Sequence, residues 1–387
     1  MPPRLLVVFR EGPGPRSRRL AAVEPALNER FVVERVPPKS QPSASHPIDH
    51  EASRSVLQGV PSSMARHIVS STLIDKYELS SWRRFRHWQP SGDFALLIGS
   101  PFSPIIAAAT RLRLYGIPYV VDAGDPLAIG YPPHLPQPLR GPARVRAQRA
   151  DSLLWKGASG GIVTSASFRN ALRARFSELP ILVRPNGYEP APIQESPVNP
   201  SDHRALRLAH FGTLYELRID LRPFLANLVA SGIWSQITLD QYGPLWHYSL
   251  HVNGVDVKVR DAVSWSGITE IIGDYDAVVV VGNRSGLGPP SKVFSYMTLP
   301  RPRVVVVADA TADETATYVE PMAGWLVVEA TGASSAERIH RHTKRNWTAA
   351  ELAPPQTEAW PSVACQIVDF LADVMNKSSP HVFAGLR

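Results

Sequence analysis

One cysteine in 387 residues, Cys365, leaves nothing for an intramolecular disulfide or a cysteine-built metal centre. No apolar run approaches the ~18 residues that a membrane-spanning helix needs. The opening run Leu5–Phe9 is too short for the core of a secretion signal, and Arg10 and Glu11 end it. A cytoplasmic protein is the simplest expectation. No nucleophile elbow is expected, since the G-x-S-x-G spacing at Gly157–Gly161 precedes an expected strand instead of following one, and there is no Walker loop. No set of His, Cys, Asp and Glu has convincing metal-ligand spacing, so no metal is expected. His46 and His50 are four apart, but Pro47 lies between them in a Pro/Ser-rich stretch. Asp274 and Asp276 precede a strand and so fall at its amino end, where capping is the favoured role. Repeats and long low-complexity tracts are absent.

What is present is ordinary for a soluble globular protein, with 44% hydrophobic and 19% charged residues. At ~100–200 residues per domain the length suits two domains. Charge is unevenly placed: the net +7 divides into +11 over residues 1–190 and −4 over 191–387. That basic half suits an anionic contact or is simply a solvated surface. The segment Ser81–Trp88 mixes Trp82, Phe85 and Trp88 with Arg83, Arg84 and Arg86. It reads as a helix lying on an anionic membrane or as one packing its aromatics on a sheet.

Short apolar strands alternate with amphipathic helices along the chain, the pattern of open parallel sheets covered by helices. In the first half, strands are expected at 5–9, 31–36, 94–99, 118–122, 161–164 and 181–184. Helices are expected at 18–28, 104–114, 144–155 and 167–176. Residues 126–143 hold six prolines, which argues against regular structure there. After a linker over 188–203, strands are expected at 206–211, 236–242, 256–259, 263–264, 277–281, 304–308 and 325–328. Helices are expected at 220–231, 269–275, 291–297 and about 360–375. The chain therefore reads as two doubly wound α/β domains. Ligands of such sheets bind at the carboxyl ends of the strands, and the space between two such domains is the default site.

Three loops follow strands and open helices. Gly12 and Gly14 lie in a G-x-G-x-x-S spacing, but Pro13 and Pro15 remove amides that a dinucleotide would need. Gly212, Thr213 and Arg218 follow the first strand of the second half, where an arginine fork suits phosphate. Pro290, Ser291, Lys292 and Val293 open a later helix, whose free amides and lysine suit an anion. Each loop is equally readable as a tight turn or cap with a solvated cation.

Five segments in order resemble the GT-B nucleotide-sugar glycosyltransferases, close to the retaining glycosyltransferase family 4. Pro118–Pro126, containing Asp122 and Asp125, is similar to a strand ending in an aspartate loop. Ile162–Phe176 resembles the V-S-x-x-x-x-x-x-L strand and helix. Val183-Arg-Pro-Asn-Gly187 resembles the I-P-N-G interdomain turn. Phe211–Arg218 resembles the G-T-L loop. Pro290–Val305 resembles P-S-K-x-x-E-Y-M-x-x-x-R-P-V-V. Ser295 and Leu287 stand where that family carries glutamates, and Pro300 where it carries glycine.

The resemblance implies two Rossmann-like domains. One is an acceptor-side domain over 1–188, completed by a crossover helix near 360–376. The other is a nucleotide-sugar-binding domain over 204–359. It implies a metal-independent, retaining hexosyltransferase moving a sugar from a nucleoside-diphosphate sugar to an acceptor hydroxyl, with no further cofactor. Arg218 and Lys292 would stabilise the leaving phosphate, with Asp122 and Asp125 on the acceptor side. Gly12, Gly14, Gly212, Thr213, Pro290, Ser291, Val293 and Ser295 would meet the donor, with the base against Trp265 and Gly267. Ser295 implies an altered ribose clamp. The acceptor would be a glycan, a lipid-linked molecule or a small molecule, in bacterial-type glycan, glycolipid or natural-product biosynthesis. Peripheral attachment at the inner face of the cell membrane would follow from the basic half. The alternatives are a nucleotide-sugar 2-epimerase and a degenerate, non-catalytic GT-B protein. Nucleic acid is not an expected partner, since no recognition motif accompanies the basic residues.

Overall fold

The computed structural model describes residues 2–9, 15–36, 78–99, 102–124, 137–190, 204–215, 218–246, 248–283 and 288–378. Gly12, Gly14, Asp125 and Leu287 lie outside the described residues. The chain divides into two units. The first comprises Met1–Thr164, Phe168–Pro185 and Ala364–Arg387; the second comprises Ser165–Ser167 and Asn186–Val363.

The first unit is built on a parallel six-stranded sheet. Its strands are β1 (Arg4–Val8), β2 (Val32–Val36), β3 (Phe94–Gly99), β4 (Tyr119–Ala123), β5 (Gly160–Val163) and β6 (Ile181–Val183), in the order β2-β1-β3-β4-β5-β6. Phe94-Ala-Leu-Leu-Ile-Gly99 is buried at every position. A strand covered on both faces must be apolar on both, so it reads as a continuous apolar run. Helices α1 (Pro15–Arg30), α2 (Glu78–Phe85), α3 (Phe102–Leu114), α4 (Gln137–Trp155) and α5 (Ala166–Arg173) connect the strands. On α2 and the turn after it, Phe85 is buried, and Trp82 and Trp88 pack on the same core. Arg83, Arg84 and Arg86 are exposed.

Residues 137–143 correct the expectation that prolines exclude regular structure before residue 144, because α4 begins at Gln137. Pro138 sits in the first turn, where an amide has no intrahelical partner to lose; only Pro142 forfeits a helical bond.

The second unit carries a parallel sheet of β7 (Ala205–Phe211), β9 (Gln236–Tyr242), β11 (Val255–Arg260), β12 (Ala277–Val281), β13 (Arg303–Val307) and β14 (Trp325–Glu329). Their order is β11-β9-β7-β12-β13-β14. The short pair β8 (Leu214–Tyr215) and β10 (Leu245–Trp246) forms a separate ribbon. Helices α6 (Leu221–Ala230), α7 (Trp265–Ile271), α8 (Lys292–Tyr296), α9 (Glu314–Val319), α10 (Ser335–Lys344), α11 (Ala349–Leu352) and α12 (Trp360–Ser378) complete the chain. Alternate residues of the sheet feed two cores. Leu206, Leu208, Ile237, Leu239, Val279 and Val281 face one, and Ala209, Phe211, Tyr242, Val278 and Val280 the other.

Residues 263–264 are not an edge strand. Ser264 caps α7, accepting from the Gly267 amide at 3.2 Å, so the helix starts four residues before the expected 269. No described helix is long and apolar enough to cross a membrane.

Candidate functional site

In the second sheet the connections leave β7 and β12 on opposite sides: β7 is followed by its neighbour β9, and β12 by β13. The chain order thus reverses between β7 and β12. Loops at such a switch point are where open α/β sheets generally bind ligands. Here the two loops are joined, the Ile219 amide donating to the Gly282 carbonyl at 3.4 Å. His210 and Gly212 come from the end of β7, Asn283 from the loop after β12, and Lys292 from the first residue of α8.

Gly212 takes φ +111°, and a Cβ there would come within 2.6 Å of both Cε and Nζ of Lys292. A side chain is therefore excluded twice, by backbone strain and by the lysine lying over the glycine. Gly243, at φ +123°, matches it: a Cβ would meet the Gly212 carbonyl at 3.0 Å. Two glycines let the β7 and β9 loops close on each other, and the Gly212 amide donates to the Tyr242 carbonyl at 2.6 Å.

Lys292 Nζ donates to His210 Nε2 at 3.2 Å. Burial, with the Arg218 charge second, pulls the lysine pKa down to about 7. His210 is fully enclosed, and burial followed by the Lys292 charge holds its pKa well below the ordinary imidazole value. A hydrogen bond to Gln241 opposes that shift without overcoming it. No described carboxylate pairs with Lys292. Arg218 Nη1 donates to Asn283 Oδ1, and Asn283 Nδ2 donates to the Gly288 carbonyl at 2.9 Å. Arg218 and Asn283 also form an isolated antiparallel bridge. Arg218 is thereby held on Asn283 and Lys292 over Gly212, close enough that the arginine charge acts on the lysine.

The remaining expected residues are placed as follows. Thr213 is half-buried beside Gly212. Pro290 is buried and its carbonyl accepts the Val293 amide at 2.9 Å. Val293 itself points into the core, with both its side chain and its amide occupied inside the protein. Ser291 is exposed and makes no side-chain cap; α8 is only five residues long, so helix amides add little to an anion site. Ser295 is half-buried, with Oγ turned back to the Ser291 carbonyl at 3.5 Å. Trp265 presents an open ring, 44% exposed, at the start of α7, and the Gly267 amide is taken by the Ser264 cap.

In the first unit, Asp122 at the end of β4 is buried against Arg19, whose Nε donates to Oδ2 at 2.6 Å. Arg19 also donates to the carbonyls of Pro185 at 2.9 Å and Arg184 at 3.1 Å. Asp122 thus ties α1 to the strand ends. Asp276, expected to cap, accepts from the Arg207 amide at 2.8 Å. Among the described residues no cluster of three or more His, Cys, Asp or Glu could hold a metal ion.

No protein-family model matches the chain, and no curated protein sequence matches it. Solved structures do. HepE of Anabaena in complex with UDP has 13% identity and a TM-score of 0.57, covering 96% of this chain and 100% of that one. HepE in complex with UDP and glucose has 12% identity and a TM-score of 0.55, over 96% and 100%. HepE in complex with UDP-glucose has 13% identity and a TM-score of 0.51, over 98% of both chains. The fold is GT-B. By the general rule for open α/β sheets the β7–β12 switch point is where a ligand would bind, and Arg218 and Lys292 lie there.

His210 and Gln241 were not among the residues singled out from sequence. A histidine inside Leu206–Phe211 reads, like Arg207 in the same segment, as a polar interruption of an apolar strand. Its only signal was its position, two residues before a glycine turn.

Proposed function

We propose that this protein is a glycosyltransferase that takes a sugar from a nucleoside-diphosphate sugar and passes it to an acceptor hydroxyl. One observation carries the reading. Arg218 and Lys292 converge at the sheet's switch point, the lysine lying directly over Gly212, and no described carboxylate pairs with it. Binding UDP, as HepE does on the same fold, is in keeping with it.

The chemistry follows from charge. Breaking the bond from the sugar to the diphosphate leaves negative charge on the departing phosphate. Pre-placed cations in a partly dry crevice stabilise that charge more than they stabilise the ground state. Arg218 brings a planar, always-charged guanidinium and Lys292 a point charge. The exposed face of Trp265 suits stacking of the base. The proposal includes a retaining, metal-independent course, in which the departing phosphate accepts the acceptor's proton. It also includes a lipid-linked, glycan or small-molecule acceptor.

A thermal-shift screen against nucleoside diphosphates and their sugars tests the reading, since a ligand that binds only the folded state raises its melting temperature. At least one nucleotide should stabilise the protein. Arg218→Gln and Lys292→Met should each weaken it by roughly 1.5–3 kcal/mol, or about ten- to a hundredfold. Full affinity in both variants would remove the site. NMR of the product anomer under the chosen donor decides retention.

A further inference from the structure

A buried lysine usually has a carboxylate partner, because desolvating an ammonium is costly. Lys292 has an imidazole instead. His210 and Gln241 are direct cross-strand partners at the ends of β7 and β9. Gln241 Nε2 donates to the carbonyls of Gly212 at 2.6 Å and Gly243 at 3.1 Å. That fixes its amide, so Oε1 is the acceptor facing His210 Nδ1 at 2.6 Å. His210 must then carry its proton on Nδ1, leaving Nε2 as a bare acceptor toward Lys292.

We infer that His210 is a positioning residue, held as the Nδ1–H tautomer by Gln241, which aims Lys292 Nζ over Gly212 without cancelling its charge. The inference rests on the nucleotide-sugar reading of this site. A carboxylate in place of His210 would orient the lysine equally well. It would also neutralise it, and a diphosphate would then meet one net cation rather than two. A neutral acceptor takes one of the three ammonium hydrogens and leaves two for phosphate oxygens. Gln241 performs two tasks with one amide: its nitrogen pins the two glycine loops and its oxygen sets the tautomer. The line from the Gly212 and Gly243 carbonyls to Lys292 is therefore continuous, with every donor matched to an acceptor. It predisposes the site to anions before one arrives, and so lowers the cost of ordering the lysine on binding.

Two substitutions at one position separate this role from packing. A glutamine side chain carries a terminal oxygen near the place of the imidazole Nε2. An asparagine reaches only to the place of Nδ1. His210→Gln therefore keeps an acceptor for Lys292, and His210→Asn keeps the Gln241 contact and loses the lysine. Affinity for the tightest binder among UDP, GDP, ADP and dTDP, measured by calorimetry, should fall roughly tenfold in His210→Asn and stay within about threefold of the unsubstituted protein in His210→Gln. Equal affinity in both variants, whether unchanged or equally reduced, overturns the inference. Should the His210 variants not fold, Gln241→Leu decides, because it leaves both Lys292 and His210 in place. It should lower affinity severalfold, and unchanged affinity overturns the inference. Lys292→Met is measured alongside. If it binds nucleotide as tightly as the unsubstituted protein, or no nucleotide binds at all, the reading of the site falls and the inference with it. If it loses affinity and His210→Asn does not, the inference alone falls.

Discussion

Lys292 works against the fold that holds it. Its folded pKa of about 7 lies below the ordinary 10.5, so between those values the unfolded chain binds the extra proton. Stability from this group therefore rises with pH through that window. The expected gain from pH 7 to about 9.5 is on the order of 2 kcal/mol, allowing for its partial exposure. Lys292→Met loses the lysine but strands the His210 acceptor, so its stability at one pH is uninformative. The difference between it and the unsubstituted protein should change with pH, with the unsubstituted protein gaining as pH rises. Denaturant melts at several pH values measure this, and parallel curves for the two proteins would show that the lysine is not desolvated. At this scale the sequence was half legible. Arg218 and Lys292 stand in recognisable loops beside glycines. His210 and Gln241 do not, because their pairing exists only across two strands 31 residues apart. The buried pairing of Asp122 was equally out of reach, because its partner Arg19 lies 103 residues away.

The short helix α8 is too brief to be stable alone and depends on what grips its ends. Arg303, fully buried in β13, supplies the grip. Its guanidinium donates to the carbonyls of Tyr296 at 3.0 Å, Met297 at 2.7 Å and Leu299 at 2.7 Å, and to Leu352 at 3.3 Å. Carbonyls at a helix end have no intrahelical donor, and one buried guanidinium satisfies several of them at once. Burial pulls the arginine pKa below its usual value, so these carbonyls are what keep the charge inside. Arg303→Met should cost about 3–5 kcal/mol, since it strands several buried acceptors. Arg303→Lys should recover only part of that, because a point charge cannot span the same set. Urea titration reads both, and a loss below ~1 kcal/mol for Arg303→Met would mean that water or neighbours satisfy the carbonyls. The apolar strands were legible because a strand buried on both faces leaves a continuous run such as Ala277–Val281. The helix α10 was not, since only Ser335, Ala336 and Ile339 of its ten residues are buried and two apolar positions make no period. In α9 the six residues are too few to show one.

For the whole chain, the alternation of strands and helices pointed to two parallel α/β units, because crossover connections between parallel strands require it. The order in which the strands pair was beyond reach, since it depends on which helix covers which face. The uneven charge, +11 over residues 1–190, includes the three arginines between Trp82 and Trp88. Around Trp82–Trp88 the aromatics serve the core of the first unit, leaving Arg83, Arg84 and Arg86 at the surface. A membrane contact through this segment would therefore be electrostatic, without aromatic insertion. Its strength would be ~1 kcal/mol per basic residue near anionic lipid, lost within a Debye length as salt rises. Flotation with vesicles containing phosphatidylserine should retain the protein at low salt and release it at ~0.5 M salt, where the Debye length is only ~4 Å. Replacing Arg83, Arg84 and Arg86 together by alanine should weaken retention and shift stability little, because all three are exposed. Binding that survives high salt would require inserted apolar groups, which this segment keeps inside. Absence of binding at any salt would leave these three arginines as solvated surface charge.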